Sequence, residues 1–105
     1  MSYDWTNYAD VEPLAPGMYF LREALSCAEL GLTVLEADDG WEGKPHDHAA
    51  EGQEEVYLLV EGSCELSVDG ESLALESGDA VRVDPEATRR LAFDAESTMV
   101  IVGAP

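Results

Sequence analysis

The sequence predicts an all-β domain, a small sandwich or barrel preceded by an N-terminal arm. Three observations predict it. Short apolar runs alternate with Gly, Asp and Pro at regular intervals along most of the chain. No segment holds a 3.6-residue apolar period long enough for a substantial helix, beyond one turn around REALSCAEL (22–30). The chain has 105 residues and is 46% hydrophobic, enough for one packed core and too apolar for disorder.

The elements follow in order. MSYDWTNYADVEPLAP (1–16) has no clear period and carries Tyr3, Trp5 and Tyr8, so it reads as an arm whose aromatics need apolar cover. Residues 17–105 form the β domain. Its strands are expected within GMYFLREAL, LGLTVLEADDG, EEVYLLVEG, CELSVDG, ESLALESGD, AVRVDPEA, RRLAF and STMVIVGAP. VDGES (68–72) has the Asp-Gly signature of a tight hairpin. In EEVYLLVEG, Glu55, Tyr57 and Leu59 share one face, and Val56, Leu58 and Val60 the other. A strand wetted on one side alternates with polar residues, and this one is apolar on both. Something must cover the outer face: the arm, a second sheet or, as we expect, a second copy in a homodimer.

Charge narrows the partners. There are 23 acidic residues against 5 basic ones, a net charge of −18. Such a surface repels nucleic-acid phosphates and anionic membranes, so neither is an expected partner. Concentrated salt shortens the Debye length to about 3 Å and relieves the self-repulsion. The acid-rich composition with a single lysine, Lys44, therefore predicts a halophile-like salt requirement. Cys27 and Cys64 read as reduced thiols of a cytoplasmic protein, with no leader or apolar span evident.

The two histidines of the chain, His46 and His48, fall one residue apart in KPHDHAAEGQEEVYLLVEG (44–62). On an extended segment their imidazoles point to one side. The loop AAEGQ then returns the chain, and the next strand can present Glu55 beside them. Parity with Tyr57 and Leu59 selects Glu55 over Glu54. Two imidazoles and a carboxylate are a three-ligand set for Fe(II) or Zn²⁺, with coordination positions left open. A proton and a metal compete for the same imidazole nitrogen, so binding should weaken on acidification. Trp41 is a candidate roof of the pocket or a core residue, and Tyr57 a pocket wall or filler.

The spacing Gly40, five residues, His46, one residue, His48, a loop, Glu55, six residues, Gly62 resembles the first motif of the cupin superfamily. GDAVRVDPEATRRLAF (78–93) resembles the second motif. The resemblance covers about residues 32 to 103 and implies a small jelly-roll barrel. It also implies a divalent metal (Fe, Zn, Mn or Ni) held by His46, His48 and Glu55. The loop after His48 is longer than usual. Counting from His48 favours Gln53, whereas counting back from Gly62 favours Glu55, the choice adopted because strand register is less elastic than a loop.

Where the second motif normally supplies a fourth ligand, a histidine, this chain has Arg89; Asp84 and Glu86 replace its usual proline and glycine. Arginine has no lone pair for a metal. Arg89 either clamps an anionic substrate beside the metal, or bonds to Glu55 in the metal's place, or leans to solvent. Two functions follow: a metal-dependent enzyme of a small anion, of dioxygenase or isomerase type, or a non-catalytic barrel that binds a small molecule.

Overall fold

The structure, a computed structural model, describes residues 2–105. Eight strands run through it: β1 (Met18–Phe20), β2 (Gly31–Ala37), β3 (Glu54–Glu61), β4 (Ser63–Val68), β5 (Glu71–Glu76), β6 (Ala80–Val83), β7 (Arg89–Phe93) and β8 (Ser97–Ala104). They form a five-stranded sheet, β1-β2-β8-β3-β6, and a three-stranded sheet, β5-β4-β7. Every pairing is antiparallel. This is the expected all-β jelly roll. Its two sheets face each other without one continuous hydrogen-bonded wall around the barrel. The helical content among the described residues is one 3-10 turn, Tyr8–Asp10, capped by the Asn7 side chain.

Alternation along the strands builds a single core from both sheets. Leu35, Leu59, Leu66, Val83, Phe93 and Met99 come from six different strands and meet in one cluster. Two local features fix the register of the chain. Asp69 and Gly70 both have positive φ (48° and 84°), the backbone of the tight β4–β5 hairpin that Asp-Gly favours. Gly62, between β3 and β4, has φ 112°, and a Cβ there would lie 2.0 Å from the Ser97 hydroxyl oxygen. Only glycine tolerates that approach.

The outer face of β3 remains open within the chain, with Leu58 36% and Val60 50% exposed. The N-terminal segment covers other ground. Tyr8 packs edge-on against Tyr19, with centroids 5.3 Å apart, and its hydroxyl donates to Glu36. Tyr3 and Trp5 are exposed. Cys27 and Cys64 are free thiols. No helix among the described residues is long and apolar enough to cross a membrane.

Candidate metal centre

The histidine segment is held by β7. Residues 40–48 run along the edge of β7 that β4 leaves free. The Gly40 N–H donates to the Phe93 carbonyl (2.9 Å), and the Gly43 N–H to that of Leu91 (2.9 Å). His46 and Arg89 then exchange both backbone bonds, at 3.0 and 2.8 Å, and the His48 N–H reaches the Pro85 carbonyl (2.9 Å). The sequence leads from the histidines through the loop AAEGQ back to β3, which would set them beside that strand. Instead they bridge to β7, and residues 49–52 turn the chain toward β3. The reason is register: opposite partners in an antiparallel ladder share a face, so pairing with Arg89 aims His46 at the barrel mouth.

The two imidazole rings lie 5.1 Å apart, nearly perpendicular. Donor atoms of His46, His48 and Glu55 all fall within 4.8 Å of one another. His48 Nε2 is 3.3 Å from Glu55 Oε1. Two ligands on one metal at about 2.1 Å stand roughly 3.0–3.4 Å apart, so this pair already has the spacing. The outer contacts agree. His46 Nδ1 lies 3.1 Å from the Lys44 carbonyl, which places its proton there and leaves the Nε2 lone pair free. Both ring nitrogens of His48 face carboxylates, Glu51 at 3.4 Å and Glu55 at 3.3 Å. A neutral ring carries one N–H and cannot match both. A cation at Nε2, a proton or a metal ion, supplies the missing match, and with the donor atoms of His46 and Glu55 gathered beside it the residues fit a divalent ion.

Strand parity sets Glu55. It points inward with Tyr57 and Leu59, whereas Glu54 is exposed near Arg82. Opposite it stands Gly103, where a Cβ would come within 3.3 Å of the Glu55 Cγ. Gln53, the alternative by loop spacing, lines an adjoining chamber. The Tyr57 hydroxyl donates to Glu55 Oε1 at 2.6 Å. Burial first, and then this hydrogen bond, raise the Tyr57 phenol well above its ordinary pKa, so it stays a donor.

Arg89 is 1% exposed. Solvent leaning, one of its three options, is therefore excluded by its inward placement. Its Nη2 donates to the Asp84 carbonyl (3.0 Å), while Nε stands 3.9 Å from Glu55 Oε1, an ion-pair contact too long for a hydrogen bond. Nε and Nη1 are buried with no partner. Buried polar groups are nearly always satisfied, so two empty donors on one guanidinium mark a place for an acceptor.

These groups line a cavity of about 250 Å³ walled by Phe20, Leu35, Leu91 and Ile101. Trp41 borders it and also packs edge-on against Phe93, centroids 5.6 Å apart, so it is wall and core at once. A second chamber of about 200 Å³ shares Phe20, Thr33, His48, Glu55 and Ile101 with the first and is bordered by Arg22. The sequence reading missed Arg22 and gave Lys44, on the inner chamber, no role. The signal available was scarcity, with 5 basic residues in the chain. A larger groove, about 500 Å³, is lined by Glu36, Asp38, Glu61 and Glu96 without any imidazole.

The comparisons agree with this architecture. No curated protein matches the chain. Among solved structures, a cupin protein from Bacteroides fragilis aligns with a TM-score of 0.83 and 20% identity, covering 99% of this chain and 85% of that one. The structure of KdgF from Halomonas sp. gives 0.78 at 21% identity, covering 100% and 94%. A sugar phosphate isomerase of the cupin superfamily from Silicibacter pomeroyi gives 0.78 at 18%, covering 96% and 75%. At these identities the likeness is one of fold. The family model for the cupin domain matches residues 33–103, most of the β domain, and the chain belongs to that family.

Proposed function

We propose that this cupin holds a divalent metal through His46, His48 and Glu55 and binds a small anionic molecule beside it, as a metal-dependent enzyme of the isomerase type. The observation that carries the reading is the buried Arg89 guanidinium, with two nitrogens that make no hydrogen bond, bordering the same cavity as the three candidate ligands. A bound divalent ion supplies Lewis acidity toward a substrate oxygen. Arg89 neutralises and orients the anion. Tyr57 fixes the Glu55 carboxylate by donating to it. Phe20, Leu35 and Ile101 limit water in the cavity, which strengthens each of these contacts. The sugar phosphate isomerase among the structural neighbours is a fold-level analogy that favours isomerisation over dioxygenation.

Elemental analysis of protein purified without chelator tests the metal. One equivalent is expected, with its loss in His46→Ala, a substitution at an exposed position that leaves the core intact. A variant that keeps its metal would remove this reading. The 3.9 Å contact of Arg89 with Glu55 favours a second reading, a non-catalytic barrel in which the guanidinium stands in for the ion. A metal-free wild type that still binds small carboxylates is the result that reading expects. In either case the open β3 face, with Leu58 and Val60, supports the homodimer. We retain residues 1–16 as an arm on a domain of 17–105, in the cytoplasm of a salt-rich cell.

A further inference from the structure

The chain has 23 acidic residues and 5 basic ones, so a cation left without a carboxylate is unexpected. Two arginines behave as expected. Arg82 pairs with Asp84 at 2.6 Å, and Arg90 with Glu42 at 3.2 Å. The other three basic residues all border the two adjoining chambers: Lys44 and Arg89 the inner one, Arg22 the outer one. Among the described residues, Arg22 and Lys44 have no carboxylate within 4.0 Å, and Arg89 has only its long contact with Glu55. Arg22 is also fixed in place. Its backbone carbonyl accepts from Cys27 N–H (2.9 Å) in the turn after β1, and its Nη2 donates to the Glu29 carbonyl. Its Nε is buried without a partner.

We propose that the two chambers together take a small molecule with an acidic group at each end. Arg89 and Lys44 hold the inner acid, Arg22 holds the outer acid, and a short, largely apolar spacer passes Phe20, Thr33 and Ile101. This deepens the proposed anion-binding function and rests on it for the inner end. The outer end rests on Arg22 alone. Two separated cations with free donors discriminate by charge placement: an acid lacking the second group leaves Arg22 desolvated and unpaired, which costs affinity. The spacer follows from one side of the shared walls, where Phe20 and Ile101 flank the Thr33 hydroxyl, while His48 and Glu55, the candidate metal ligands, form the other side.

Calorimetric titration of the full chain, as purified and with its metal content measured in the same samples, tests this. The probes are glutarate, pentanoate and 4-phosphonobutyrate, which share a chain length and differ in the second acid. Glutarate is expected to bind at least about tenfold tighter than pentanoate, the scale of one added charged contact. Arg22→Gln should bring glutarate down to the pentanoate level and leave pentanoate unchanged, while Arg22→Lys keeps most of the preference. Arg89→Gln should weaken both. Whichever of glutarate and 4-phosphonobutyrate binds tighter names the outer acid as carboxylate or phosphate. Equal binding of pentanoate and both diacids overturns the proposal, as does an Arg22→Gln loss that is the same for pentanoate and glutarate. Metal-free protein that still prefers glutarate would sink the metal assignment and leave the two-ended site standing.

Discussion

The two ends of the jelly roll are made from the same strands and serve opposite purposes. Along β3 the inward residues run Glu55, Tyr57, Leu59, and along β7 they run Arg89, Leu91, Phe93. Each strand starts at the cavity with a charge and finishes in a sealed apolar layer with Leu66 and Met99, both fully buried. Parity decides which side chains enter the barrel. Position along the strand decides whether they stabilise or bind. Stability therefore resides at one end and chemistry at the other, four residues apart along each strand.

The largest test of that division is Leu59→Ala. It should cost about 2–5 kcal/mol in urea unfolding, the range for emptying a packed leucine site. His46→Ala should change stability by less than about 0.5 kcal/mol. Similar costs for the two would break the comparison. Arg89→Met comes next and has the opposite sign. It removes a buried guanidinium that has two donors without a hydrogen bond, and should raise stability by about 1–3 kcal/mol while weakening carboxylate binding. A lowered melting temperature would show that the charge already has an adequate partner.

Alkali provides a finer probe of the closed end. Burial first, and then the Asp94 charge, push the Cys64 thiol up to about 11 from about 9. The unfolded chain ionises first and binds fewer protons, so stability is full below pH 9 and falls as pH rises from about 9 to 11. Cys64→Ala should flatten that slope in pH-dependent unfolding, and an unchanged slope would place the titrating group elsewhere. The smallest effect concerns the outer surface. Val60→Glu should leave ligand binding intact and shift the mass in solution from dimer to monomer, and a monomeric wild type at working salt would remove the dimer.

Local rules made much of this legible. Alternation in EEVYLLVEG singled out Glu55, and Asp69-Gly70 announced its hairpin, because both depend on neighbours in sequence. The His46–His48 pair was equally visible, but its route was not. The histidine segment binds the edge of β7, more than forty residues away, and nothing in AAEGQ encodes that register. Arg89 could be placed at the right position of the second motif, yet three fates stayed open until its neighbours were known. Arg22 was invisible for the same reason: it reaches the cavity only because β1 pairs with β2 and β2 with β8. Contacts made by a third strand have no local signature.

One rung of the ladder has a further consequence. His46 and Arg89 are joined by two reciprocal main-chain bonds, so a candidate ion ligand and the anion anchor ride on the same pair of α-carbons. Their separation is thus a fixed gauge of the scaffold, independent of rotamer choice. Evolution or engineering can exchange either side chain freely, but cannot slide one site past the other without dismantling the rim itself.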